Sequence, residues 1–285
     1  MWRSVADDLG RVVALAGPPR RIVSLVPSVT ELICDLGCGA RLVGVTRFCV
    51  EPAAVVAGLP RLGGTKTADC ERLVALRPDL VVMNSEENDR AQFELLIAAG
   101  VPVFVSFATS VAGAARGVER LGAALDMDAA AREVAQRIEA AAGTLASLAP
   151  GAVRVFCPIW RRPWMSFNAT TYCHDILRGA GASNVCADAH ERYPVVDLEA
   201  IARTDPEVVL LPDEPYPFVR RHFTDLEALH GTTSWRQGRV HLVDGRALSW
   251  YGARTPEALA LFFRLLYPEV PLPDGFAGPQ LCPAV

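Results

Sequence analysis

One stretch of this chain occurs twice. Asp69-Cys70-Glu71-Arg72-Leu73 leads through Leu76 to Pro78-Asp79-Leu80-Val81-Val82-Met83. Asp197-Leu198-Glu199-Ala200-Ile201 leads through Thr204 to Pro206-Glu207-Val208-Val209-Leu210-Leu211, and the two align without a gap at an offset of 128 residues. Each copy reads as an Asp N-cap, a short helix, a Pro that stops it, and a buried strand. A repeat of so long a period predicts two similar lobes in one chain. Two similar α/β lobes make a cleft, and clefts are where small molecules bind.

The pattern around the repeat is strand–helix alternation. Residues 5–18 read as a hairpin turning at Asp8-Leu9-Gly10. Arg21 to Leu25 reads as a buried strand, followed by a helix from Pro27-Ser28 to Leu36, stopped by Gly37, and a strand from Leu42 to Thr46. The first repeat supplies a helix at 70–77 and a strand at 80–84. A helix from Glu86 to Ala99 and a strand from Val101 to Ser106 follow. Residues 110–148 are helical, broken at Asp126-Met127-Asp128, with Asp128 placed to cap the second helix. The second half gives strands at 153–156, 184–187 and 240–243 and helices at 171–180 and 256–266, beside the repeat at 197–211 and a loop at 212–217. Such alternation predicts an α/β fold: two Rossmann-like lobes with mostly parallel sheets, joined by a long rigid α-helix. The expected divisions are a lobe at 1–124, the linking helix at 125–150, a lobe at 151–268 and an irregular tail at 269–285. A helix of some twenty residues spans about 30 Å, the width of a small domain.

Composition excludes several classes. Half of the 285 residues are apolar (51%), enough for two cores, and the net charge of −4 comes with no basic stripe. That argues against a nucleic-acid partner. No stretch reaches the roughly 18–20 apolar residues of a membrane span, so the chain is not expected to be membrane-embedded. The start, Met1-Trp2-Arg3-Ser4-Val5-Ala6-Asp7-Asp8, shows no apolar signal region. A cytoplasmic location follows if Met1 is the native start, and a periplasmic or cell-surface one if a signal has been removed. The eight cysteines (34, 38, 49, 70, 157, 173, 186 and 282) form no CxxC pair and sit mostly in apolar patterns, so no disulfides are expected.

Three segments resemble the helical-backbone (class III, TroA-like) substrate-binding proteins. They are Arg21-Ile22-Val23-Ser24-Leu25-Val26-Pro27-Ser28-Val29-Thr30-Glu31, Val43-Gly44-Val45-Thr46, and Leu73-Val74-Ala75-Leu76-Arg77-Pro78-Asp79-Leu80-Val81. The resemblance runs over residues 5–267 and is greatest to the cobalamin-binding members, which serve ABC importers. It implies a ligand held between two lobes joined by a stiff helix. It further implies that Glu71 and Glu199, at matching positions of the repeat, dock on arginines of an ABC permease if the chain is exported. The alternative reading of both is a first-turn acid that stabilises its helix dipole, by about 0.3–1 kcal/mol.

In open α/β sheets ligands meet the loops after the carboxyl ends of the strands. Those loops hold Ser28, Arg47, Phe48, Lys66, Glu86 and Glu87 in the first half. In the second they hold Trp160, Arg162, Trp164, Tyr193, Asp213, Glu214, Tyr216, Trp250 and Tyr251. The rings of Trp160, Trp164, Tyr193, Tyr216, Trp250 and Tyr251 offer large contact area with polar handles, suited to a flat ligand, or else they pack the loops down. Arg47, Lys66, Arg161, Arg162 and Arg254 suit anionic groups, or are ordinary surface charge. Glu86-Glu87 and Asp213-Glu214 each follow a repeat strand. They either face a cation or act as helix N-terminal acids.

The five histidines (174, 190, 222, 230 and 241) lack the spacing of a metal site, and no catalytic motif is present. The expectation is therefore a binding protein without enzymatic activity, without intrinsic cofactor and without a resident metal. It captures cobalamin or a related corrinoid, possible partner to an ABC permease. The alternatives are an iron-siderophore or metal-chelate receptor, and a cytosolic enzyme or cofactor-handling protein on the same scaffold.

Overall fold

The computed structural model describes residues 3–276. The chain folds into two α/β lobes, each with a four-stranded parallel sheet. In chain order the strands are β1 (Arg3–Ala6), β2 (Val12–Leu15), β3 (Ile22–Ser24), β4 (Leu42–Val45), β5 (Leu80–Asn84), β6 (Val103–Ser106), β7 (Val153–Phe156), β8 (Ala182–Asn184), β9 (Val208–Pro212) and β10 (Val240–Val243). The helices that matter below are α1 (Pro27–Asp35), α2 (Cys70–Ala75), α3 (Arg90–Ala98), α4 (Val111–Leu125), α5 (Asp128–Leu148), α6 (Leu198–Arg203) and α7 (Gly245–Ser249).

The first unit comprises residues 1–108, 112–138 and 251–253; the second comprises 109–111, 139–250 and 254–285. The sheet of the first runs β4-β3-β5-β6 and that of the second β10-β9-β7-β8. Read from the opposite edge, the second order is the same as the first: second strand, first, third, fourth.

The repeat is the part the two lobes share most closely. Helix α6 begins and ends 128 residues after α2, and β9 begins and ends 128 residues after β5. Asp69 caps α2 by accepting from the Arg72 N–H at 3.0 Å. Asp197 caps α6 by accepting from Glu199 at 3.4 Å and Ala200 at 3.1 Å. Both helices then stop at a residue with left-handed backbone, Arg77 (φ 48°) and Asp205 (φ 47°), each one position before the Pro. A side chain in that region costs roughly 1–2 kcal/mol. At Asp205 the carboxylate is held by the Thr233 N–H (2.6 Å) and hydroxyl (2.8 Å).

The strand that follows each repeat helix is fully buried. In the first unit Val23, Leu25, Val81, Met83, Val103 and Val105 pack with Leu62, Leu73 and Leu96. In the second Phe156, Val209 and Leu211 pack with Ile201, Phe218, Leu226 and Leu229. Each such side chain contributes about 1.5–3 kcal/mol by leaving water.

Several boundaries differ from the sequence reading. The helix expected from Glu86 starts at Arg90, capped by Asp89, whose carboxylate accepts from Ala91 N at 2.7 Å. Glu86 is therefore not a helix N-terminal acid. Asn84 Oδ1 accepts from the Glu86 N–H (2.7 Å) and the Glu87 N–H (3.1 Å), and this turn holds the chain out of a helix. The strand expected at 184–187 ends at Asn184, because its Oδ1 accepts from Cys186 N at 2.9 Å and turns the chain. The helical region breaks at Asp126 (φ 63°). Asp128 is the first residue of α5 rather than its cap. At 21 residues α5 is about 32 Å long.

Seven described cysteines are free thiols; Cys282 lies outside the described residues. Among the described residues no helix is long and apolar enough to cross a membrane.

Candidate functional site

In the second unit the carboxyl ends of β7 and β9 carry one connected group of side chains. The segment after β7 folds back on itself. Met165 N donates to Trp160 O (3.1 Å), Ile159 N donates to Met165 O (2.8 Å), and Met165 is bridged in turn to Val195. Arg161-Arg162-Pro163-Trp164 form the tip, with Arg162 in the left-handed region (φ 64°).

This turn sets Trp160 edge-on to Tyr216, with centroids 5.6 Å apart, and stacks Trp164 on Phe218 at 5.8 Å and 5°. Tyr216 also packs on Phe218 (4.7 Å) and on His222 (5.4 Å). Arg161 ties the group together: its Nη2 pairs with Asp225 at 2.7 Å and its Nη1 donates to the Tyr216 hydroxyl at 3.3 Å.

Burial separates the rings into two kinds. Trp160 is 42% exposed and Tyr193 38% exposed, with the Arg192 guanidinium 5.7 Å from the Tyr193 ring centre. Trp164 and Tyr216 are half-buried and pack against the lobe's core. Trp250 is buried, with the guanidiniums of Arg254 (5.1 Å) and Arg246 (5.9 Å) over its ring. Arg162 is exposed.

The two acids after β9 are engaged with their neighbours. Asp213 Oδ1 accepts from Gly245 N at 2.7 Å, at the start of α7, and Glu214 Oε1 accepts from Ser249 Oγ at 3.2 Å. Burial raises the Glu214 carboxyl above its ordinary range.

In the first unit the loops after β4 and β5 form a second group. Arg47 and Phe48 are exposed, with the guanidinium 4.8 Å from the Phe48 ring centre. Lys66 donates from Nζ to Glu86 O (2.5 Å) and Asn88 O (3.2 Å), so it fastens two loops. Glu86 is exposed and Glu87 half-buried, while Ser28 is buried in the first turn of α1.

Tyr251 belongs to this unit although it lies far along the chain. It is buried, accepts from Asn84 Nδ2 at 2.7 Å and donates to Ser106 Oγ at 3.0 Å. Burial drives its hydroxyl pKa far up, so it stays protonated. Asn88 completes the arrangement, accepting from Asn84 N (2.7 Å) and donating to Thr65 O (2.9 Å) and Leu25 O (3.2 Å). Among the described residues no three His, Cys, Asp or Glu side chains converge as a metal site.

Residues that sequence reasoning passed over include Phe218, Asp225 and Asn88. Phe218 and Asp225 lie where no periodicity marks them, in a loop and a 3-10 turn spanning Arg220–Leu229. Asn84 is marked in the sequence by its place at the end of a repeat strand.

His222 gives a pH expectation. Its Nδ1 accepts from Val219 N at 3.1 Å, so a proton there would set donor against donor. Burial, then the nearby Arg161 and Arg221, lower its pKa, and burial lowers those of His174 and His241 as well. In the unfolded chain histidine titrates near about 6.5. These groups therefore contribute stability that is fully present above that pH. It is lost as pH falls from there toward the folded pKa values, because only the unfolded chain takes up the protons. The urea midpoint is expected to drop between pH 7.5 and 5.5, and His222→Gln to shrink that drop. A midpoint that rises over this interval would contradict the assignment.

A pair of parallel-sheet lobes with open rings and cations on their strand-end loops is the scaffold of a binding protein. The sequence profile of the periplasmic binding protein family matches residues 22–247, and the chain belongs to that family. The vitamin B12-binding protein of Vibrio parahaemolyticus is 25% identical over 227 residues, 79% of this chain and 78% of the relative. A periplasmic heme-binding protein from Pseudomonas aeruginosa superposes with a TM-score of 0.74 at 26% identity, covering 89% of this chain and 94% of that one. The molybdate-binding protein of Haemophilus influenzae superposes at 0.79 with 19% identity, covering 94% and 92%, and shows the fold alone.

Proposed function

We propose that this chain binds cobalamin or a related corrinoid, with the loops after β7 and β9 providing its aromatic wall. The observation that carries the reading is the open Trp160 ring set edge-on to Tyr216, beside an arginine already fixed by Asp225. An aromatic ring held this way presents apolar area without the entropy cost of ordering it. The similarity to vitamin B12-binding relatives supports the choice of ligand. In the second unit Arg162 serves polar substituents of the ligand and Tyr193 borders it; the first unit has Arg47, Phe48 and Lys66 on its own strand-end loops as further candidates. Trp164, Glu87, Asp213, Glu214, Trp250, Tyr251 and Ser28 shape the loops.

The test is a calorimetric titration with cyanocobalamin, with haemin and molybdate in parallel. Saturable binding of cyanocobalamin is expected, and Trp160→Ala is expected to weaken it about tenfold, a loss of about 1.4 kcal/mol. No heat with cyanocobalamin would sink the corrinoid reading. Haem is the second reading, favoured by the structural relative that binds it, and saturable binding of haemin alone would put it first.

The same reading makes Glu71 and Glu199 contacts for an ABC permease of an importing cell, with the protein exported. Both are exposed, in the first turns of the matching helices α2 and α6. The double replacement Glu71→Arg, Glu199→Arg should leave ligand affinity within twofold while cutting uptake at least tenfold. Unchanged uptake would return both acids to a helix-dipole role.

A further inference from the structure

The first unit contains a hollow of about 420 Å³ on the α3 side of its sheet, between that helix and the turn joining β1 to β2. None of the residues assigned to the corrinoid site lines it. Its volume falls in the usual range for small-ligand pockets, about 300–1,000 Å³.

Its apolar walls are Leu9, Met83, Phe93 and Val105. Arg11 lines it among polar neighbours that include Asn84, Ser85, Asp89 and Glu94, and it is held rigidly. Its Nε and Nη2 donate to Asp7 Oδ2 at 3.0 and 2.5 Å, and its guanidinium lies 4.2 Å from the Phe93 ring centre. Asp7 is itself anchored by the N–H groups of Leu9 (3.0 Å), Arg11 (2.9 Å) and Val105 (3.2 Å). Arg11 Nη1 and Ser85 Oγ have no hydrogen-bond partner among the described residues, and at the rim Arg90 uses only its Nε, on Glu94.

We propose that this hollow is a second ligand site, for a small organic monocarboxylate with an aromatic or apolar body. The body lies against Met83, Phe93 and Val105, and the carboxylate accepts from Arg11 Nη1 and Ser85 Oγ. A guanidinium whose other nitrogens are fixed loses little freedom on receiving a carboxylate oxygen. A single charge is the limit, since Asp89 and Glu94 also line the rim and Glu94 already pairs with Arg90 at 2.8 Å.

Benzoate and its uncharged analogue benzamide are the probes, followed by saturation-transfer NMR on the intact chain. Benzoate is expected to bind saturably and at least tenfold more tightly than benzamide. Arg11→Gln should weaken it at least tenfold. Because that change also strips Asp7 of its partner, Leu9→Trp serves as a second variant. Leu9 is exposed at the hairpin tip, and an indole there narrows the hollow without replacing a core residue, so benzoate binding should fall at least fivefold with the melting temperature kept. Equal affinity for benzoate and benzamide would overturn the carboxylate assignment. Full benzoate affinity in the Leu9→Trp protein would overturn the site.

Discussion

Gly63→Ala is expected to lower stability by about 3 kcal/mol, because two penalties fall on one residue. Gly63 sits at φ +92°, where a Cβ costs roughly 1–3 kcal/mol. The added methyl would also lie 2.4 Å from the Thr67 carbonyl oxygen, a backbone atom that cannot swing aside. The loop matters beyond its own energy. Gly63 O accepts from Arg47 N at 2.8 Å, and Leu62 O accepts from Asp69 N, the cap of α2, at 2.8 Å. Displacing it therefore moves Arg47 and loosens the repeat helix together. Gly64→Ala is the control: its methyl meets the ends of the Thr67, Arg47 and Phe48 side chains at 3.0–3.5 Å, which can yield. Urea unfolding of both variants checks the contrast, and equal midpoints would show that the loop relaxes around either methyl.

Asn84→Ala is the second large loss, about 2–4 kcal/mol. One buried amide serves four partners: it accepts from Glu86 N and Glu87 N and donates to the Tyr251 hydroxyl and, at 3.5 Å, to Ser106 Oγ. Each buried donor left unpaired costs about 1–3 kcal/mol. Tyr251 keeps its bond to Ser106, so not all is lost. Tyr251→Phe removes the hydroxyl with both its bonds and should cost less, about 1–2 kcal/mol. If Tyr251→Phe proves the more damaging of the two, the turn at Glu86 and Glu87 does not depend on Asn84.

The repeat was readable because everything that builds it is local. An N-cap binds amides two or three residues on, Pro acts on its neighbour, and a buried strand needs only a run of apolar residues. Those signals placed α2 with β5 and α6 with β9 at their common offset. They failed at Glu86 for an equally local reason, since an Asn side chain offers backbone N–H groups an alternative to the helix.

The composition of the candidate site was legible and its geometry was not. Trp160, Tyr216 and Arg161 were all identified from their place after strands, and the structure brings them together across 55 residues of sequence. Trp250 and Tyr251 carried the same signal and are buried. Tyr251 reaches back 167 residues to Asn84 and belongs to the first unit. By itself the sequence determined the two-lobed α/β fold and the matching halves, since these rest on periodicity and capping within a few residues, while the family came from the resemblance of three short segments to known members. Which rings stay open, which acids are spent on neighbouring amides, and that a rigid arginine walls a hollow beside α3 were decided only by the tertiary structure. Exposure and partnership depend on what distant segments bring against a side chain, and no short-range pattern carries that information.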